Sequence, residues 1–328
     1  MKAAFAMTPG LQHRFFDDGL LQELRDLVDI ETETVLETFD TPTATDVELL
    51  VTSWGCPPID DAALTALPRL RAVVHAAGSV KAIAGAGVWE RDLRITSGAA
   101  LNARPVAEFA FAAVVWAGKS VLPLAERFSR QRRATDLTTD PTITGNYRTT
   151  VGVLGASATG RALLAMLDLL DVHVLVADPT IDADAAEALG AELVSLDDLF
   201  SRSDVVSVHA PLLPATHHLV DRRLLALMPD GATLINTARG PVVDHDPLRA
   251  ELTAGRLKAI LDVTDPEPLP ADDPLWDLPN VTLTPHVAGS QGRELLRLGR
   301  AAVEEVRAFV EGRPPVRPVS AAALETSA

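Results

Sequence analysis

Three residues spread across the second half of the chain have the types and settings needed to do chemistry on a small acid: Arg239, Glu267 and His286. Arg239 lies between Ala238 and Gly240, just after the aliphatic run Leu234-Ile235. A guanidinium at a strand end with little bulk beside it can clamp a carboxylate through two parallel hydrogen bonds. Glu267, in Asp265-Pro266-Glu267-Pro268, and His286, in Thr284-Pro285-His286, also follow apolar runs. A carboxylate beside an imidazole makes an acid–base pair in which the acid stabilises the protonated ring. Each has a plainer reading as well. Arg239 could pair with a structural carboxylate, and a lone late histidine is more often a core or surface group.

A second constellation could hold a phosphate. Gly152-Val153-Leu154-Gly155-Ala156-Ser157-Ala158-Thr159-Gly160 approaches G-x-G-x-x-G, with Ser157 where the middle glycine belongs. Gly155 would make the tight turn and Gly160 would let a helix pack close to the strand. The backbone N–H groups of Ser157, Ala158 and Thr159 and the helix dipole would face a pyrophosphate. Ser157 fills space that a phosphate needs, although its hydroxyl can donate to a phosphate oxygen. The next run, residues 172–177, ends in Asp178, about 20 residues on, where a carboxylate binds both ribose hydroxyls and repels a 2′-phosphate, selecting NAD over NADP. The alternatives are an ordinary strand–turn–helix and a solvated Asp-Pro turn. Strand-end polar groups recur at Ser207-Val208-His209-Ala210-Pro211 and Asn236-Thr237-Ala238, and Asp262 closes another run. Open α/β sheets place their ligands at such ends.

These sites need a scaffold that lines up strand ends. Residues 3–7, 47–53, 71–77 and 94–97 read as strands, with helices over 19–28 and 60–67, the second capped by Asp60 or Asp61. A long helix is expected from Asn102, with Pro105 in its first turn and Pro123 ending or kinking it. Residues 126–146 read as an irregular surface excursion. A second strand series follows at 151–154, 172–177, 205–209, 233–236, 259–263 and 281–283. An amphipathic helix over 291–310 is stopped by Gly312, Pro314, Pro315 and Pro318, leaving a frayed tail. Strand–helix alternation implies right-handed βαβ units, and hence an α/β fold of doubly wound parallel sheets.

Composition narrows the function classes. The 328 residues suffice for two domains, and 47% of them are apolar, enough for a core in each. A formal charge of −16 argues against a nucleic-acid partner or an anionic membrane surface, while leaving room for a local arginine to bind an anionic substrate. Cys56 is the single cysteine, which precludes an intrachain disulfide and leaves no basis for a cysteine metal site. Residues 1–7 offer too short an apolar stretch for a signal peptide, and no ~20-residue apolar run is present to span a bilayer. A soluble protein in the reducing cytoplasm is expected.

Taken in combination, the motifs resemble the D-isomer-specific 2-hydroxyacid dehydrogenases over residues 45 to 318. The resemblance rests on Ser203–Leu212, on Pro214, Thr216 and His218, and on Leu234–Gly240 with Val243-Asp244. It is completed by Leu261-Asp262-Val263 through Pro268-Leu269 and by Leu278-Pro279-Asn280-Val281 through Gly289. It implies that Arg239 binds the substrate carboxylate, His286 donates and accepts the proton, and Glu267 holds His286. Asp262 and the Ala238 carbonyl would orient the nicotinamide. His209, Pro211, Thr216 and Thr237 fall in cofactor-binding segments, and Gly78 and Ser79 match a loop whose amides meet the substrate carboxylate. Asn102, Val106 and Glu108 match the start of the interdomain helix.

The fold implied is a substrate-binding domain over 1–101 and 290–328, interrupted by a Rossmann NAD-binding domain over 102–289, in a homodimer. The expected activity is hydride transfer between NAD(H) and a 2-hydroxy or 2-oxo acid, without a metal. Ser157, Lys81 and Ala99 depart from the family pattern, which carries Gly, Asp and Pro there. Trp54-Gly55-Cys56 falls where the family varies its substrate-contact loop. Glu267 disfavours a formate dehydrogenase, which carries Gln, and the absence of a domain after residue 318 disfavours the longer phosphoglycerate dehydrogenases. A non-enzymatic NAD(H)-binding corepressor shares this fold and is the alternative. A methyltransferase would leave Arg239, Glu267 and His286 without roles.

Overall fold

The computed structural model describes residues 1–133, 137 and 143–326. They form two compact units, one of Met1–Asn102 with Ser290–Thr326 and one of Ala103–Gly289. Both are parallel sheets covered by helices, as the alternating sequence pattern requires. Among the described residues no single helix is long and apolar enough to cross a membrane.

The first unit holds β1 (Lys2–Ala6), β2 (Asp29–Val35), β3 (Leu49–Thr52), β4 (Ala72–His75) and β5 (Arg94–Ser97), in the order β2-β1-β3-β4-β5. Every residue of β3 and β4 is buried, the mark of central parallel strands covered on both faces. β2 escapes the sequence reading because its apolar content is Ile30 and a terminal Val35 within Asp29-Ile30-Glu31-Thr32-Glu33-Thr34-Val35. It is an edge strand, where polar residues are tolerated on the exposed side. The helix Leu295–Val310 returns to this unit and sets Leu295, Leu298, Ala302, Val303 and Val306 among Phe5, Phe15, Leu20 and Leu24. The expected frayed tail is instead ordered. Ser97 N donates to Arg317 O at 3.3 Å and Val319 N donates to Ile95 O at 2.9 Å, and a short helix follows at Ala321–Thr326.

The long helix starts at Ala99, three residues before the expected Asn102. Ser97 Oγ accepts the Ala99 amide at 3.2 Å and Gly98 O accepts the amides of Leu101 and Asn102, so the chain is already helical when it reaches Asn102. The Asn102 side chain serves elsewhere, accepting the Ser290 amide at 2.8 Å. Pro105 therefore lies inside the helix rather than in its first turn. The helix ends at Gly118, and Ser120 in a left-handed conformation leads into a second helix, Val121–Gln131. Pro123 occupies the first turn of that helix, where a missing N–H costs nothing. Part of the expected excursion is thus helical, and most of its threonine-rich centre lies outside the described residues.

The second unit holds β6 (Thr150–Leu154), β7 (His173–Ala177), β8 (Glu192–Leu193), β9 (Val205–Val208), β10 (Thr233–Asn236), β11 (Lys258–Leu261) and β12 (Val281–Leu283). Their order is β12-β11-β10-β9-β6-β7-β8. The winding reverses between β6 and β9, which opens a crevice at their carboxyl ends. β10, β11 and β12 are adjacent and parallel, so the segments that follow them emerge side by side.

Candidate active site

The turn after β6 is built around two glycines that no other residue could replace without rearrangement. Gly155 has φ +99°, and a Cβ there would lie 2.7 Å from Ala210 N beyond β9. A Cβ at Gly160 would collide with the Gly155 carbonyl. The helix Ala158–Leu167 therefore presses against the turn, with the amides of Ala158 and Thr159 in its open first turn. Ser157 caps that helix by accepting the Gly160 amide at 3.3 Å, which leaves its hydroxyl proton available to a ligand. Asp178, after β7, accepts the Ala156 amide at 2.6 Å with one carboxylate oxygen and the Thr180 amide at 2.7 Å with the other. It braces the turn from the side.

The other residues expected to meet a dinucleotide divide into two groups. Thr237 is buried with an Oγ1 that has no hydrogen-bond partner, a polar atom of the kind a ligand satisfies. Ala238 follows it, its amide held by Asn236 Oδ1 at 3.0 Å. His209 and Thr216, by contrast, spend their side chains inside the protein. The His209 ring is buried against Ser207 Oγ at 2.8 Å, and burial lowers its pKa to about 4, while its backbone and Cβ pack beside the turn. Thr216 accepts the Leu213 amide at 2.8 Å and donates to the Pro211 carbonyl, closing its own loop.

Beyond β10, β11 and β12 the structure gathers the three chemical residues. His286 Nδ1 lies 2.7 Å from Glu267 Oε1, and both side chains are about half exposed, at 50% and 42%. With Nδ1 engaged, Nε2 is the ring nitrogen left for a substrate. Burial pulls the Arg239 guanidinium below its usual pKa, and the Glu267 charge works in the opposite direction, so the arginine feels the acid of the pair. Arg239 Nη1 also donates to the Ala238 carbonyl at 2.6 Å.

Two buried polar groups at strand ends, Asn236 and Asp262, hold the segments that carry these residues. Asn236, fully buried, accepts the Ala238 amide and donates to the Arg239 carbonyl at 3.0 Å, so one side chain staples both ends of the turn. Asp262, 2% exposed, was expected to orient a nicotinamide. Its carboxylate accepts Thr284 Oγ1 at 2.6 Å and the amides of Val287 and Ala288 at 2.8 and 2.9 Å, which ties the β11 end to the loop that carries His286. The only signal for Asn236 in the sequence is an amide side chain at the end of an aliphatic strand, where core packing alone would not choose it.

In the first unit, Gly78 and Ser79 follow β4 and are half-buried. Gly78 is not required by space, since an added Cβ would meet only Asn102 Nδ2 at 3.8 Å, and Ser79 Oγ accepts the Lys81 amide at 3.3 Å.

This geometry has known counterparts. Residues 119–288 match the model of the D-isomer specific 2-hydroxyacid dehydrogenase, NAD binding domain. The chain is 33% identical to a glyoxylate reductase of Korarchaeum cryptofilum (strain OPF8) over 261 residues, 79% of this chain and 78% of that protein. It is 32% identical over 255 residues to a D-3-phosphoglycerate dehydrogenase of Mycobacterium tuberculosis (strain ATCC 25618 / H37Rv), covering 77% of this chain but 48% of that one, so it matches about half the length of that longer enzyme. Among solved structures it resembles the D-lactate dehydrogenase of Aquifex aeolicus complexed with NAD and lactic acid, with a TM-score of 0.74, 26% identity, and coverage of 95% and 96% of the two chains.

Proposed function

The chain belongs to the D-isomer specific 2-hydroxyacid dehydrogenase family, and from that premise we propose that Arg239, Glu267 and His286 interconvert a 2-oxo acid and its D-2-hydroxy acid. Members of this family are NAD-dependent oxidoreductases, and the fold and activity class follow for this chain. The relatives named above are enzymes, which favours catalysis over the corepressor alternative.

The residue roles are our reading. The Arg239 guanidinium clamps the substrate carboxylate, and its partial burial strengthens that charge-assisted bond. His286 Nε2 gives a proton to the carbonyl oxygen as negative charge develops there, and Glu267 holds the ring by Nδ1. NADH, when bound, supplies the hydride for the carbonyl carbon. Its phosphates fit the first turn of the Ala158–Leu167 helix, whose close glycine packing a Cβ would fill. Thr237, with its unpaired hydroxyl, together with Pro211 and the backbone of His209 and Thr216, borders the same cofactor in this reading. Gly78 and Ser79 are retained as carboxylate-binding amides of the first unit.

The observation that carries the reading is the 2.7 Å Glu267–His286 pair whose acid acts on the half-buried Arg239. The test is NADH oxidation with a panel of 2-oxo acids, glyoxylate and larger homologues, on the parent and on Arg239→Lys. The lysine keeps the charge and loses the fork, so KM should rise and kcat fall while NADH binding persists. A variant that loses only thermal stability would assign Arg239 to structure.

A homodimer in the cytoplasm completes the proposal. Trp116 and Phe128 are 47% and 59% exposed, and the amphipathic helix Val121–Gln131 buries none of its residues, as an unpaired interface helix would. Light scattering after size exclusion distinguishes monomer from dimer.

A further inference from the structure

Close to this apparatus is a buried imidazole for which the proposed reaction has no role. His245 opens the helix His245–Thr253 and is 5% exposed. Its Nδ1 lies 3.0 Å from the Val243 carbonyl oxygen, and its Nε2 lies 3.2 Å from the Asp265 amide nitrogen. A carbonyl can only accept and an amide N–H can only donate. The ring is thereby fixed as the neutral tautomer with its proton on Nδ1 and its lone pair on Nε2. Burial lowers its pKa, assisted by Arg249, while the Val243 carbonyl, Asp265 and Asp273 oppose that shift.

The Asp265 amide is an unusual place to spend a buried histidine. Pro266 and Pro268 have no N–H, so within Asp265-Pro266-Glu267-Pro268 only Asp265 and Glu267 have amides to anchor the chain. The Asp265 amide goes to His245. This segment also lies directly on Gly240, where a Cβ would collide with the Thr264 carbonyl and reach 2.9 Å from Asp265 N. Thr264 Oγ1 donates to the Pro266 carbonyl at 2.8 Å and stiffens the stretch that leads to Glu267.

We infer that His245 is a positioning residue that, through the Asp265 amide, fixes the Thr264–Pro268 segment and so sets Glu267 against His286. The inference rests on the reading of Glu267 and His286 as the acid–base pair. A carboxylate–imidazole bond of 2.7 Å leaves little slack, and displacements of about 1 Å can cost up to ~10²-fold in rate.

The test uses the full chain with His245→Leu, which fills the space without bonding, and His245→Gln, whose amide can accept from Asp265. Glu267→Gln and the His245→Leu/Glu267→Gln double variant complete the cycle. His245→Leu should lower kcat about tenfold or more with KM for NADH unchanged, and His245→Gln should recover most of the loss. The double variant should be no slower than Glu267→Gln alone, because the anchor has nothing left to position. Independent, multiplying effects in the double variant would overturn the inference, as would parent kcat in His245→Leu. Parent kcat in Glu267→Gln would overturn the acid–base reading itself, and the inference with it. In the unmodified chain, where no variant can misfold, the Asp265 amide should be protected from hydrogen exchange; rapid exchange would also overturn the inference.

Discussion

The carbonyl oxygen of Asp262 accepts the backbone amide of His286 at 3.1 Å, while the Asp262 carboxylate takes the next two amides of the same loop. The relationship explains how His286 keeps φ +53°, a left-handed conformation costly for a non-glycine residue. Asp262→Asn replaces an acceptor oxygen with an NH₂ group among three donors. Leaving buried donors unpaired costs roughly 1–3 kcal/mol, so the melting temperature should fall by several degrees. If the loop aims His286, kcat should fall at least tenfold in the same preparation. Loss of stability with parent kcat would confine Asp262 to structure.

His286→Ala should reduce kcat by ~10²–10⁴, the usual range for a lost general acid–base, with NADH binding by fluorescence nearly intact. Glu267→Gln should produce a smaller loss, since the ring remains but its carboxylate partner is gone. Equal turnover by parent and His286→Ala would remove the histidine from the reaction.

In the proposed reading Asp178 selects the cofactor as well as bracing the turn, and one substitution tests both. Asp178→Ser removes the charge that repels a 2′-phosphate, so the NADPH/NADH ratio of kcat/KM should rise about tenfold or more. It also removes the 2.6 Å bond to the Ala156 amide, so kcat/KM with NADH itself should fall. An unchanged cofactor ratio would leave Asp178 only as a brace.

Acid should weaken the fold through buried imidazoles, His75 and His209 most strongly. His75, paired with Thr52 Oγ1 at 2.9 Å, and His209 both have pKa values lowered by burial from 6.5 to about 4. Between those values the unfolded chain binds protons that the folded chain refuses, so stability falls as pH drops through this window and each contribution levels off below about 4. Each ring contributes a slope of about 1.4 kcal/mol per pH unit. Melting temperatures from pH 7 to pH 4.5 should decline less steeply in His209→Asn than in the parent. Parallel curves would exclude His209 as a source of acid sensitivity.

Much of the second unit was legible because chemistry and periodicity agreed there. The runs ending in Asp178, Asn236 and Asp262 are continuous aliphatic strands, and the turn residues after them have few other uses. What the sequence concealed were roles that depend on which backbone atom faces a side chain. Nothing in Asn102 tells that it will accept the amide of Ser290, 188 residues away, rather than cap its own helix. β2 was hidden because an edge strand needs only one buried face, and β8, two residues long, is too short for any period to show.

The return of the helix Leu295–Val310 to the first unit has a consequence for synthesis. Residues 103–289 form a contiguous unit and can fold as soon as they clear the ribosome. The first unit cannot close its core then, because Leu295, Leu298, Val303 and Val306, which cover Phe5 and Leu24, have yet to be made. The segment Met1–Asn102 is therefore translated before the second unit but completed after it, and its apolar sheet face stays open in the interval. That face is open to chaperones or misassociation for the time it takes to translate nearly two hundred intervening residues.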